Sequence, residues 1–209
     1  MIVYDGSRRD FLESVENDTI AIDIEQNILK KMGRHTPKNE FRAWDNSMQY
    51  MYKVMNDPDI PDNVGIAIEY NIPQTAKRVD FMISGYDEEN HPGLVIIELK
   101  QWEELQKVGN SHTLVETYTG HAQRKVVHPS YQAWSYAQLI QDYNTAVQDA
   151  HVQLIPCAYL HNYIRSDQDL LDDEQYEAYT SEAPAFTKGQ VIQLRALIKR
   201  FVRKGDNED

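Results

Sequence analysis

The most apolar segment of this 209-residue chain ends in two charged side chains. Residues 94–100 read Leu-Val-Ile-Ile-Glu-Leu-Lys, which predicts a strand buried on both faces. Because side chains alternate along a strand, Glu98 and Lys100 share a face and lie about 6–7 Å apart. Charged groups are rarely buried unless they are paired or bound to a metal. Glu98 and Lys100 are therefore the first candidates for chemistry.

Asp80 is the candidate that joins this pair. Residues 78–84, Arg-Val-Asp-Phe-Met-Ile-Ser, predict the preceding strand, and the polar segment 85–93 predicts a hairpin turn between the two strands. The hairpin would bring Asp80 next to Glu98 at one rim of the sheet. Two adjacent carboxylates repel each other unless a cation neutralises them, and their hard oxygens suit Mg²⁺ or Mn²⁺.

The chemistry that these three residues predict is phosphodiester hydrolysis. A divalent cation polarises a phosphoryl oxygen and lowers the pKa of its bound water. Lys100 would orient that water or stabilise the negative charge of the transition state. A structural ion pair between Glu98 and Lys100 explains the same residues equally well, so this alternative stays open.

Alternating helical and strand patterns must position these residues. The periodicities predict helices over about 8–33, 37–55, 130–147 and 188–203, and strands over 65–72, 78–84, 94–100 and 152–160, with a short strand near 113–118. Thr36 is the expected cap of the second helix, with Pro37 as its first residue. Pro156 predicts an edge position or a bulge in the last strand. The order helix, three strands, helix, strand predicts an α/β fold with a mixed central sheet flanked by helices.

The domain organisation follows from length and charge. We expect one domain over residues 1–185, in which 1–35 form an N-terminal helical extension, followed by a basic C-terminal helix and tail over 186–209. The lone Cys157 favours a reducing cytosol, and the N-terminus lacks the pattern of a signal peptide. No apolar run approaches the ~20 residues of a membrane span. The sequence therefore predicts a cytoplasmic protein with no membrane contact.

The net charge of −12, from 21 Lys and Arg against 33 Asp and Glu, argues against tight electrostatic binding of nucleic acid by the whole chain. The acids are unevenly placed, however. Residues 131–185 hold nine acidic residues and one basic residue, whereas residues 75–130 hold eight acidic and six basic ones. The region of the candidate site is thus close to neutral, and we expect weak, salt-sensitive binding of DNA by this chain alone.

The candidate catalytic residues also resemble the motif of a known family. Asp80, seventeen intervening residues and Glu98-Leu99-Lys100 resemble the core of the PD-(D/E)xK nuclease superfamily, whose restriction-endonuclease-like fold has the same order of elements. Gln132 and Tyr136 resemble the Gln-x-x-x-Tyr helix motif of its RecB-like branch. The proline that usually precedes the aspartate is absent, since Arg78-Val79 stands there.

A closer resemblance covers almost the whole chain. It rests on five short sequence segments, residues 44–47, 68–73, 77–81, 97–102 and 128–134. They resemble the N-terminal nuclease-like domain of bacterial proteins in which a P-loop helicase-type ATPase follows. This chain contains no phosphate-binding loop of the form G-x-x-x-x-G-K-[S/T]. The resemblance therefore implies either the nuclease half alone or a piece of a longer protein that stops before the motor, with a helicase-type ATPase as a further domain or as a partner.

The resemblance implies a Mg²⁺- or Mn²⁺-dependent DNA nuclease that acts in DNA repair or in defence against foreign DNA. It implies Asp80, Glu98 and the Leu99 carbonyl as metal ligands, with Lys100 assisting the water. It also implies that Gln132 and Tyr136 shape the site. Glu40 or Glu69 would be a further ligand. The alternative for Glu40 is a helix-start carboxylate, and the alternatives for Glu69 are a residue that supports the ligands and a surface strand carboxylate. Two other functions stay open: a catalytically silent DNA-binding or regulatory domain, and a phosphodiesterase for RNA or nucleotides.

Basic and polar residues around the site are candidates for nucleic-acid contacts. They are Lys77, Arg78, Gln101, Lys107, Arg124 and Lys125. Trp102 is expected to pack rather than to stack on a base. His128, which precedes Pro129, is expected to help start its helix, and His161 is expected to be structural or at the surface.

Overall fold

The computed structural model describes residues 1–33, 35–166 and 169–205, without the side chain of Glu40. The strands are β1 (Tyr4–Ser7), β2 (Gly65–Asn71), β3 (Arg78–Tyr86), β4 (Pro92–Lys100), β5 (Gln106–Lys107), β6 (Leu114–Thr119), β7 (Ala122–Val127), β8 (Gln153–Leu160) and β9 (Ala185–Thr187). The helices are α1 (Arg8–Glu16), α2 (Ile20–Met32), α3 (Lys38–Met55), α4 (Pro129–Tyr143), α5 (Thr145–Asp149), α6 (Glu177–Thr180) and α7 (Val191–Phe201).

A mixed six-stranded sheet forms the centre of the fold. Its order is β1-β2-β3-β4-β8-β9, with antiparallel pairing from β1 to β4 and parallel pairing of β8 with β4 and of β9 with β8. Helices α1, α2, α3 and α7 pack on one face around Phe81 and Ile97. Helix α4 packs on the other face against Met82 and Ile96. The predicted α/β fold, a mixed sheet flanked by helices, is confirmed.

The N-terminal segment differs from the predicted single helix over 8–33. It begins with an edge strand, β1, and its helix is interrupted between α1 and α2, where Asp18 takes a φ of 56°. Short polar residues tolerate this left-handed conformation, and apolar periodicity alone does not reveal the break. Helix α3 begins at Lys38, one residue later than predicted, and its cap residue is Pro37 in place of the expected Thr36.

The C-terminal segment, residues 186–205, packs against the same hydrophobic core as the central sheet. Strand β9 crosses the predicted boundary at residue 185, and α7 buries Leu194 and Ile198 among the residues of the central cluster. Gly85 and Gly93 allow the close approach, since a Cβ at either would lie within 3 Å of a backbone oxygen of residues 201–204. Residues 186–205 are thus an integral layer of the fold.

A second sheet of three strands, β5-β6-β7, is inserted between β4 and α4. Only a short strand near β6 is predicted from the sequence, because β7 is largely exposed and lacks an apolar period.

In the main sheet, β9 pairs with residues 158–160 of β8 only. Pro156 therefore lies at a local edge of the sheet, which suits a residue without an amide hydrogen. None of the helices in the described ranges is long and apolar enough to span a bilayer.

Candidate active site

Asp80 and Glu98 come together where β3 begins and β4 ends. The register pairs Phe81 with Ile97, so the next residues in each strand, Asp80 and Glu98, lie opposite each other. The amide of Leu99 donates a hydrogen bond of 2.9 Å to Asp80 Oδ2, which fixes this carboxylate. Burial and the neighbouring charge of Asp80 raise the pKa of Glu98 to about 8, although Lys100 opposes the shift. The two carboxyl groups are close enough to share a hydrogen bond when Glu98 is protonated.

The two hydrogen bonds that Glu98 accepts from the described side chains both go to one of its two oxygens. Lys100 Nζ and Gln132 Nε2 each donate to Glu98 Oε1 at 2.6 Å. Glu98 Oε2 is buried and accepts no hydrogen bond from any residue that the structure describes. Burial alone would lower the pKa of Lys100, but the charges of Glu98 and Asp80 outweigh burial and raise it. The ion pair of the structural alternative is therefore present, and it leaves one carboxylate oxygen without a partner.

Helix α4 packs on the face of the sheet that Ile96 and Glu98 share, and it supplies a further contact to Glu98. Gln132 and Tyr136 are one helical turn apart, and Gln132 Nε2 lies 2.9 Å from the hydroxyl of Tyr136. Burial and the charge of Glu98 raise the pKa of Tyr136 to about 12, so this hydroxyl stays protonated near neutral pH. His128 starts the helix as expected, because its Nδ1 accepts a hydrogen bond of 3.2 Å from the amide of Ser130.

Glu69 lies in β2 across from Asp80 and is buried with a φ of 58°. Its Oε1 accepts a hydrogen bond of 2.6 Å from Trp44 Nε1, and Arg78 forms an ion pair with its Oε2. The alternative of a surface carboxylate is therefore wrong. A ligand role would require displacement of Arg78. The described ranges contain no group of three His, Cys, Asp or Glu side chains that could hold a metal, and the side chain of Glu40 lies outside the described residues.

A cavity of about 380 Å³ opens beside the carboxylates. Asp80 and Lys100 line it together with Trp44 of α3 and with Tyr118, which the small sheet contributes. Trp102 also lines it, but it is 9% exposed and packs into an apolar cluster, which confirms the predicted packing role. The cavity is the space in which a substrate could meet the charged residues.

A buried hydrogen-bond network links α3, β4 and β8 beside this cavity. His161 Nδ1 lies 3.1 Å from Asn162 Oδ1, and Asn162 Nδ2 donates to the carbonyl of Gln101 at 3.2 Å. His161 therefore donates from Nδ1 and accepts at Nε2 from Ser47 Oγ, 3.2 Å away. Gln101 Nε2 closes the ring by donating to Ser47 Oγ at 3.1 Å and to the carbonyl of Ala43 at 2.9 Å. The structural role expected of His161 is confirmed.

The sequence missed the partners in this network because they are distant along the chain. Ser47 and His161 are separated by 114 positions, and neither lies in a recognisable spacing. The helical periodicity indicates only that Trp44 lies on the apolar face of its helix; its indole also donates a hydrogen bond to Glu69. The one signal in the sequence is that His161 directly follows the apolar strand segment 152–160, at a position where a polar side chain can lie beside a site.

The residues predicted to contact nucleic acid differ in how accessible and how engaged their side chains are. Lys77, Arg124 and Lys125 are exposed. By contrast, Lys107 forms an ion pair with Asp173. Arg78 and Gln101 are also engaged, Arg78 with Glu69 and Gln101 with α3. The exposed cations therefore lie on the small sheet and on the turn before β3.

Comparisons with protein-family models, with curated proteins and with solved structures give no match to this chain. The nuclease resemblance consequently rests on the residues of the sequence. A functional proposal must depend on the geometry around Asp80, Glu98 and Lys100.

Proposed function

We propose that this chain is a Mg²⁺- or Mn²⁺-dependent DNA nuclease domain with a restriction-endonuclease-like core. The observation that carries the proposal is the meeting of Asp80, Glu98 and Lys100 beside a cavity, with one buried oxygen of Glu98 unpartnered among the described residues. The order α3, β2, β3, β4, α4, β8 also supports it, because it is the helix, three-strand, helix, strand order of that fold.

The residues of the site fit a divalent cation by their chemistry. Asp80 and Glu98 offer hard carboxylate oxygens, and the Leu99 carbonyl is a further donor at the same strand end. Glu98 Oε2 receives nothing from the described protein, although an unsatisfied buried oxygen is costly. When bound there, Mg²⁺ or Mn²⁺ would polarise the phosphoryl group and lower the pKa of the attacking water.

The protein's own groups have separate tasks in this proposal. Lys100 places its ammonium group beside the carboxylates, where it stabilises negative charge on the phosphoryl oxygens. Gln132 holds Glu98 Oε1, so that this carboxylate keeps one orientation as a substrate binds. The amide of Leu99 orients Asp80 in the same way. The cavity is lined by Asp80, Leu99 and Lys100, which gives the scissile phosphate access to these three residues, whereas Glu98 is buried and is not part of the lining.

The test is cleavage of plasmid and of linear DNA by the purified chain with Mn²⁺ or Mg²⁺. We expect nicking that is abolished by EDTA and reduced at least about 100-fold by Asp80→Ala, Glu98→Ala or Lys100→Ala. Lys30→Ala is a matched control, because Lys30 is exposed on α2, away from the cavity lining. Glu98→Gln is a milder variant that keeps the side-chain shape, and Mn²⁺ binding followed by electron paramagnetic resonance should be lost in it. Activity that survives all three alanine variants would remove these residues from the mechanism.

A catalytically silent DNA-binding or regulatory domain is the second candidate. The direct contact of Lys100 Nζ with Glu98 favours it, since a stable ion pair needs no cation. DNA binding without cleavage and without Mn²⁺ binding would select this candidate. Parallel assays with RNA and with nucleotide phosphodiesters would show whether another phosphodiester is the preferred substrate.

A further inference from the structure

The β6–β7 hairpin places an accessible aromatic ring at the candidate active site. Its turn residues Gly120 and His121 both have positive φ, which is the tight two-residue turn of a regular hairpin. Tyr118 and Thr119 precede this turn and line the cavity that Asp80 and Lys100 also line. Tyr118 is 56% exposed, although tyrosine is usually more covered in a packed fold. A short, well-paired hairpin therefore presents this ring to whatever enters the cavity.

The same small sheet is basic in an acidic chain. Residues 106–127 contain three basic residues and one acidic residue, whereas the whole chain has a net charge of −12. Lys125 is exposed on β7 and lies on the same face of the hairpin as Tyr118, whereas Arg124 lies on the opposite face and donates a hydrogen bond to the carbonyl of Gly120. An exposed cation beside an accessible aromatic ring is the combination with which proteins hold a nucleic-acid strand by its phosphates and bases.

The cavity favours a single strand over a duplex. Its volume of about 380 Å³ lies at the lower end of the range for small-molecule sites, which suits one nucleotide. A ring such as Tyr118 stacks on a base only when that base offers a free face, and bases inside a duplex are already stacked on their neighbours. A base next to the scissile phosphate must therefore be unpaired to use this ring.

We propose that the β6–β7 hairpin is a clamp for single-stranded DNA, in which Tyr118 stacks on an unpaired base and Lys125 contacts its phosphates. This inference rests on the proposed function, because it gives the substrate of the same site. It makes single strands and frayed or overhanging ends the preferred substrates, in place of the interior of a duplex.

The test is binding without cleavage. Fluorescence anisotropy of a fluorescein-labelled oligothymidylate and of a blunt-ended, G·C-rich DNA duplex is measured in EDTA at low salt. We expect the single strand to bind at least about 10-fold more tightly, and Tyr118→Ala to weaken single-strand binding about 5- to 150-fold, as expected for one lost base–aromatic stack. Tyr118→Phe should keep most of the affinity. Tyr143→Ala is the matched control, because Tyr143 is 52% exposed at the end of α4, away from the cavity lining.

A second measurement, photocrosslinking, detects the contact even when binding is too weak for anisotropy. An oligonucleotide that carries 5-iodouracil is irradiated with the protein, and the crosslinked peptide is identified by mass spectrometry. A crosslink at Tyr118 supports the clamp, and equal binding of single strand and duplex, or unchanged binding by Tyr118→Ala, overturns it. If single-strand binding depends on Tyr118 but no DNA is cleaved, the nuclease proposal fails and the clamp stands. If duplex and single strand are cleaved equally and Tyr118→Ala has no effect, the clamp fails and the nuclease proposal stands.

Discussion

Lowering the pH from 7 to 5 should weaken this fold through one buried imidazole, that of His128. The ring is fully buried and stacks on Tyr176 with ring centroids 4.4 Å apart. Nε2 lies 3.0 Å from the carbonyl of Leu171 and donates to it, while Nδ1 accepts the amide proton of Ser130. Both nitrogens are therefore used by the neutral ring, and a proton on Nδ1 would break the cap of α4.

The size of the effect follows from the difference between two pKa values. Burial lowers the pKa of His128 from 6.5 to about 4 in the folded protein. The unfolded chain therefore binds the proton first as the pH falls, so the stabilisation is complete above pH 6.5 and is lost as the pH approaches 4. This loss is about 2 kcal/mol at pH 5 and about 3 kcal/mol at pH 4. Since α4 carries Gln132, the same protonation should loosen the contact with Glu98.

The assay is urea unfolding followed by tryptophan fluorescence at pH 7, 6 and 5, with His128→Asn as the comparison. Asparagine keeps a cap acceptor at the start of the helix but does not titrate. We expect this variant to be less stable than the wild type at pH 7, because it lacks the contacts with Leu171 and Tyr176. Between pH 7 and pH 5 it should lose about 2 kcal/mol less than the wild type. Carboxylates contribute equally to both proteins, so an equal loss in both would refute the reasoning.

Three further predictions concern packing and reactivity. Gly85→Ala should lower the free energy of unfolding by about 1–3 kcal/mol in urea titrations, because the new Cβ would lie 2.6 Å from the carbonyl oxygen of Lys204. Cys157 should not react with a thiol-specific disulfide reagent in the folded protein, because burial raises the pKa of its thiol, whereas one thiol per chain should react in urea. Gln132→Glu should lower the melting temperature at pH 9 more than at pH 6, because it places a second carboxylate against Glu98 Oε1.

The β3–β4 hairpin and the meeting of Asp80 with Glu98 were predictable because they depend on local rules. Alternation along β3 and β4 and the polar turn between them fix which side chains share a face. The contact of Gln132 with Tyr136 follows equally from helical spacing. These parts of the site need only short-range information along the chain.

Other features depend on contacts that no local pattern encodes. The positive φ of Glu69 breaks the alternation of β2 and turns a residue that reads as a surface carboxylate into a buried one. Ser47 meets His161 only because α3 packs beside the end of β8. The small sheet was only partly predictable, since the exposed residues of β7 have no apolar period to detect.

The choice between a structural ion pair and a functional site depends on how Glu98 is partnered. A purely structural pair is expected to satisfy both carboxylate oxygens, because each unsatisfied buried polar group costs about 1–3 kcal/mol and a charged one costs more. Here Lys100 and Gln132 both donate to Oε1, while the described residues give Oε2 no donor and place Asp80 close by. A proton shared between Glu98 and Asp80 would give Oε2 a partner, and so would a cation that binds both carboxylates. The Mn²⁺ binding of the wild type and of Glu98→Gln therefore decides between the two explanations independently of any cleavage.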